Sequence, residues 1–309
     1  MPNTNLRSLA PDQWIQWVKL AQSQAQTGKL PRYIPQLAAV DPQSFALQIG
    51  DRQGLIVTAG NADVRFSLMS VIKPFLLLYC LHHRGMPWLR SKIGDRPSTK
   101  AYNSLSQLQE DQGFPRNAMI NSGAICLADT LPGRTASERC QALADWLNQT
   151  AGCHLFLDQD LLTSVRSLPN PRNQAIAALM GEKKTIQHPA LALDTYNHIC
   201  CLSGQINDVY QLGLLLQSPA LPLTSETSRS IHQTLAHSGL YQLSLSFFQR
   251  TGFTCKSGVS GVMLACLPTT PPAVMVCYSP PLDAQGHSVA ALVLLEQLAR
   301  ALQGFPNLD

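Results

Sequence analysis

Apolar residues run almost unbroken from Phe75 to Leu81, directly after Phe66-Ser67-Leu68-Met69-Ser70-Val71-Ile72-Lys73-Pro74, and predict a buried helix that begins at Ser70. Upstream, Trp14, Ile15, Trp17, Val18, Leu20 and Ala21 recur at helical spacing, which predicts a helix over residues 12–24 with Asp12 as its cap. Residues 45–49 and 54–59 read as two short strands joined by a hairpin at Gly50-Asp51-Arg52-Gln53.

From Ser70 to about Ser238 the pattern is mostly helical, with helices expected at 104–110, after the apolar approach 113–125, and at 137–147, 175–179, 206–216 and 228–236. Residues 161–172 read as a loop because Pro169 and Pro171 interrupt them. The tail returns to strands at 244–251, 262–267 and 273–278, the last two separated by a break at 268–272. An amphipathic helix over 288–303 follows and stops before Gly304 and Pro306.

Strands at both ends and helices between them predict an α/β (α+β) fold: an antiparallel sheet assembled from both chain ends, flanked by helices, with an inserted helical domain. The division expected is 1–69 with 239–309 for the sheet-containing part and 70–238 for the helical part. The active site is expected in the cleft between them, where pockets form readily.

Composition narrows the function. Hydrophobic residues make up 45% of the 309 and charged ones 14%, which describes a folded globular chain. A formal charge of +4 with no basic run gives no footprint for nucleic acid. Residues 1–26 lack the apolar core of a signal peptide, and no apolar run approaches the ~18 residues of a membrane span. Nine scattered cysteines without a C-x-x-C pair read as free thiols in a reducing cytoplasm, and the same scatter argues against a metal site.

The chemistry is concentrated in Ser70-x-x-Lys73. Residues three apart on a helix share a face, so the hydroxyl and the amine can meet. Burial beside apolar side chains disfavours the charged amine, and a neutral lysine can take the serine proton. The second element is Lys256-Ser257-Gly258-Val259, expected at the start of an apolar strand. A Lys-Thr-Gly triplet on a strand accompanies Ser-x-x-Lys in the penicillin-interacting enzymes, and a backbone N–H at such a strand can serve an oxyanion.

Taken together, ordered blocks along the chain resemble the serine-dependent glutaminases of bacterial and mitochondrial type. The blocks are Gly28-Lys29 with Tyr33-Ile34-Pro35, Ser70-x-x-Lys73, Gly113-Phe114-Pro115-Arg116-Asn117 with Ile120-Asn121-Ser122-Gly123-Ala124, Arg172-Asn173, Tyr196 with Cys200, Ser238-Gly239-Leu240-Tyr241, and Lys256-Ser257-Gly258-Val259. The resemblance implies a beta-lactamase-like fold and hydrolysis of L-glutamine to L-glutamate and ammonia through a serine acyl-enzyme, with no cofactor. It implies Ser70 as nucleophile, Lys73 as its base, Tyr33 and Tyr241 as catalytic tyrosines beside the nucleophile where a phenol can relay a proton to the leaving ammonia, and Asn121, Asn173, Tyr196 and Tyr241 as glutamine-holding residues. Val259, with the Ser70 amide, matches the oxyanion hole. A small-molecule substrate, no nucleic acid or membrane partner, a cytoplasmic setting and a homo-oligomer complete what it implies. A penicillin-binding or beta-lactamase enzyme would act beyond the inner membrane, against which the thiols and the missing signal peptide speak.

One position departs from the family pattern. The family places a glutamate for the substrate ammonium seven residues before the asparagine, and counting back from Asn173 gives Arg166. Three readings follow: a glutaminase in which Asp158 or Asp160 supplies the acid, a serine amidase or esterase whose substrate offers an anion to Arg166, or a non-catalytic binding relative. The presence together of Ser70, Lys73, Tyr241 and Lys256 argues against the third.

Overall fold

The computed structural model describes residues 5–218 and 224–303. Helix α1, Pro11–Ala25, starts one residue before the expected range; Ala10 precedes it and donates its N–H to Gln13 Oε1 at 3.1 Å. Asp12 therefore lies within the first turn, where its charge favours the helix dipole, and is not the cap. After the short α2, Pro35–Ala38, strands β1 (Ala46–Asp51) and β2 (Gly54–Gly60) form the expected hairpin, turning at Arg52-Gln53. Strand β3 (Phe66–Ser67) leads into a 3-10 turn, Met69–Ile72, and then α3, Lys73–Arg90, whose helical path breaks at Gly85 with φ 79°.

The middle of the chain supplies α4 (Leu105–Glu110, capped by the Ser104 side chain), α5 (Asn121–Ala128) and α6 (Ala136–Ala151). Strand β4 (Phe156–Leu157), α7 (Gln159–Arg166), α8 (Pro171–Glu182) and α9 (Pro189–Cys200) come next. Strand β5 (Leu202–Gly204), α10 (Ile206–Leu216) and α11 (Ser225–Ser238) close this region. The loop expected at 161–172 is thus largely helix. Asp158 caps α7 by accepting from Leu161 N–H at 2.9 Å, and Pro171 opens α8 at its first position, where a missing N–H costs nothing.

Residues 244–251, read as a strand, form helix α12, Ser244–Thr251. Their serine–apolar alternation imitates a strand, yet Leu245 is 46% exposed while Phe247 is buried, and Gly252 closes the helix at φ 72°. Strands β6 (Thr254–Ser257), β7 (Val262–Leu267) and β8 (Ala273–Tyr278) follow, then α13, Val289–Gln303. Lys256 and Ser257 therefore end a strand instead of starting one. The stop expected at Gly304 and Pro306 lies outside the described residues.

The main sheet has the order β2-β1-β8-β7-β6 and is antiparallel throughout. Pairing of β1 with β8, Ala46 opposite Tyr278, joins the early and late parts of the chain as expected. Alternating side chains serve two cores. Ala46, Leu264, Cys266, Val274 and Val276 pack with residues of α3, α5, α6, α9 and α10. Leu47, Ile49, Ala265, Met275 and Cys277 pack on the opposite face against Trp14 and Trp17 of α1 and Leu294 and Leu298 of α13. All nine cysteines are buried and free. Among the described residues no helix is long and apolar enough to cross a membrane.

Candidate active site

Ser70 lies in the 3-10 turn between β3 and α3, a geometry in which residues i and i+3 eclipse, so the Ser-x-x-Lys spacing puts both side chains on one side. Met69, just before it, holds φ 45°, a left-handed conformation that costs a non-glycine residue about 1–3 kcal/mol and marks a turn held by its surroundings. Those surroundings come from two sides. Leu68 N–H donates to Leu202 O at 2.8 Å, extending the small β3-β5-β4 sheet. Ser260 Oγ donates to Ser67 O at 2.6 Å, and Gly258 passes so close that a Cβ there would lie 2.7 Å from Leu68 O. The β6–β7 turn is thereby locked against the turn that holds Ser70.

Lys73 is fully buried and donates to Met119 O at 3.0 Å and to Asn121 Oδ1 at 2.8 Å. Burial pulls its pKa down to about 8, against a smaller upward influence of Cys200. Asn121, at the start of α5, also accepts from the Tyr196 hydroxyl at 3.0 Å and donates to Asn173 Oδ1 at 2.9 Å. Four of the residues expected at the site are thus one hydrogen-bonded unit. Burial raises the Tyr196 phenol well above its usual range.

Tyr241 comes from the turn after α11 with φ 53°. Its ring is stacked between Tyr102 (centroids 4.5 Å apart) and His287 (5.5 Å). Burial raises its pKa, Tyr102 adds to this, and hydrogen bonding with Ser70 and Ser257 opposes it. Lys256, fully buried, lies 4.8 Å from the Tyr241 ring centroid and donates to Gly239 O at 3.1 Å and Ser257 O at 2.8 Å, tying the Tyr241 segment to β6. Burial, then the charge of Lys73, pushes its pKa well down. His287 Nδ1 pairs with Ser257 Oγ at 3.0 Å, and burial lowers this imidazole to about 4.

These groups border a cleft of about 410 Å³ that includes Ser70, Asn121, Asn173, Tyr196, Tyr241 and Val259. Tyr33, 57% exposed, stands among its lining residues. The Val259 amide has no hydrogen-bond acceptor among the described residues. A larger groove of about 860 Å³ between α3 and α11 contains neither Ser70 nor Lys73, so size does not mark the chemistry.

Arg166 is not in the cleft. Its guanidinium pairs with Asp194 through Nε at 2.9 Å and Nη2 at 2.6 Å, and the residue facing the cleft from that turn is Val165. Asp158 is committed to the α7 cap, and with Asp160 it lines a separate recess that excludes Ser70. Neither supplies an acid to the site. Sequence reasoning missed Tyr102, His287 and the Met119 carbonyl. Their only signal was an aromatic or polar residue in a loop, which by itself points nowhere.

A family model described as Glutaminase matches residues 28–304. A glutaminase of Synechocystis sp. is 56% identical over 299 residues, covering 97% of this chain and 91% of that protein. Glutaminase 2 of Escherichia coli strain K12 is 32% identical, over 89% of this chain and 91% of its own. Among solved structures, the probable glutaminase ybaS superposes with a TM-score of 0.85 at 28% identity, covering 96% of this chain and 98% of that one. A probable glutaminase from Bacillus subtilis complexed with 6-diazo-5-oxo-L-norleucine gives 0.84 at 22% identity over 97% of both chains, a likeness of fold.

Proposed function

The chain belongs to the glutaminase family and hydrolyses L-glutamine, and from that premise we propose which residues do the work. The observation that carries the assignment is the setting of Lys73, fully buried with the Met119 carbonyl and Asn121 Oδ1 fixed on its amine. A neutral amine has two N–H donors and one lone pair; Met119 O and Asn121 Oδ1 take the donors, which leaves the lone pair for the Ser70 hydroxyl.

Ser70 Oγ, losing its proton to Lys73, attacks the side-chain amide carbon of glutamine. The oxyanion is met by the backbone amides of Ser70 and Val259. Tyr241, whose burial keeps the phenol protonated, gives its proton to the departing nitrogen, which becomes basic only in the tetrahedral intermediate. The C–N bond breaks, ammonia leaves, and the proton held on Lys73 restores the phenol. Water then adds to the ester by the same route in reverse and releases L-glutamate. Asn121, Asn173 and Tyr196 hold the substrate from one wall, and Tyr33 stands over the mouth as a binding group. No step calls for an organic cofactor.

The resemblance further supports a homo-oligomer acting in the cytoplasm, and a division into a sheet-containing part (1–69 and 239–309) and a helical part (70–238). Ammonia release from L-glutamine by the purified protein, with Ser70→Ala beside it, tests the assignment. Release that disappears in the variant is expected; equal release by both proteins removes Ser70 from the chemistry.

A further inference from the structure

Charge in the cleft is one-sided. Among the described residues that line it there is no aspartate or glutamate, and Arg172 is the one charged side chain. Asp194 of α9 is paired with Arg166, and neither residue lines the cleft. Where that turn of α7 faces the cleft it presents Val165. With Ile34, Leu168, Pro169 and Val259 it makes an apolar wall, and Val165, Leu168 and Val259 remain only partly covered by the small core behind them.

An α-ammonium brought to this site exchanges water for apolar side chains and a neighbouring cation, with no counter-charge to offset the lost hydration. An α-carboxylate gains from the same cation. Acylating the α-nitrogen removes the unfavourable charge and supplies apolar surface for the wall.

We propose that the site takes glutamine acylated on its α-nitrogen: the side-chain amide at Ser70, the α-carboxylate toward Arg172, and the acyl group against Ile34, Val165 and Leu168. This rests on the Ser70 acyl-enzyme reading. The chemistry is unchanged: the Ser70 Oγ–C bond forms as the C–N bond breaks, ammonia leaves, and water splits the ester to give N-acyl-L-glutamate.

The test measures kcat/KM for ammonia release from L-glutamine and N-acetyl-L-glutamine with the intact protein, Ser70→Ala, Val165→Glu and Val165→Gln. The acetylated substrate is expected to lead by about tenfold, the equivalent of ~1.4 kcal/mol, with both activities lost in Ser70→Ala. Val165→Glu is expected to reverse the order by supplying a partner for the ammonium. Val165→Gln, similar in shape but uncharged, is expected to leave it. Ammonia from L-glutamine with none from the acetylated compound overturns the proposal and leaves the acyl-enzyme reading intact. Reversal by Val165→Gln as fully as by Val165→Glu also overturns it, because shape and not charge would then set the order. Ammonia from neither substrate overturns the underlying reading itself.

Discussion

Asn121 Oδ1 receives hydrogen bonds from both Lys73 Nζ, at 2.8 Å, and the Tyr196 hydroxyl, at 3.0 Å, so one amide oxygen fixes the base and one wall of the cleft together. Replacing Asn121 by Asp keeps the shape and puts a carboxylate against the lysine. The opposite charge favours protonated Lys73, so its pKa rises by roughly 1–3 units. The pH dependence of kcat/KM is expected to move to higher pH by that amount; an unmoved profile would detach Lys73 from proton transfer.

In the intact protein the direction follows from the burial of Lys73. Its amine titrates near 8 instead of near 10.5, and the neutral form is the competent one. Activity should therefore climb as pH rises through about 8 and flatten above it. The cost of burying this group, full below pH 8, is relieved progressively between 8 and its unfolded value, so stability rises with pH across that window, where the unfolded chain binds the extra proton. Steady-state rates and denaturant midpoints over pH 6.5–10 test both directions.

Tyr241→Phe preserves the ring between Tyr102 and His287 and removes only the hydroxyl. A loss of about 10²–10⁴ in kcat is expected, the usual weight of a positioned acid, while the thermal midpoint stays near that of the parent. A variant that retains full kcat would remove Tyr241 from proton transfer.

Gly239 is a packing requirement. A Cβ on it would lie 1.8 Å from Cys255 O, so Gly239→Ala must separate the end of α11 from β6. A cost of about 3 kcal/mol or more in urea unfolding is expected, together with loss of activity, because Lys256 binds the Gly239 carbonyl.

Arg166→Glu should not improve glutamine turnover. The side chain points to Asp194, and the variant would set two carboxylates side by side at a half-exposed position, at a cost of less than about 1 kcal/mol. A large gain in kcat/KM would show that this residue reaches the substrate after all.

The ranges 206–216, 262–267 and 273–278 were legible to the residue because their hydrophobic periods are unbroken. At 244–251 local alternation misled: Phe247 faces the sheet core while Leu245 meets solvent, a choice made by tertiary packing. At Pro171 a breaker turned out to be a starter. For the site, the motifs named Ser70, Lys73, Asn121, Asn173, Tyr196 and Tyr241, which the fold gathers at one cleft and its hydrogen-bonded wall. Counting back from Asn173 gave Arg166, yet the α7 residue that lines the cleft is Val165, since a count cannot tell which side chain of a helix turns inward. Tyr102 and His287 were invisible because stacking on Tyr241 is a relation between distant segments.

The pairing of β1 with β8 has a bearing on how the molecule is made. During synthesis the β1–β2 hairpin emerges early, yet β1 keeps an open edge until residues 273–278 have been translated. Such distant pairing slows folding and leaves a strand edge exposed to other chains in the interval. Val259 and Lys256 arrive just as late, after Ser70 and Lys73 have long been in place. A chain interrupted before β8 has its nucleophile and the β6–β7 turn that packs on it, but it lacks the strand that ties β7 to β1 and the His287 that stacks on Tyr241, so the site is left on an unfinished sheet.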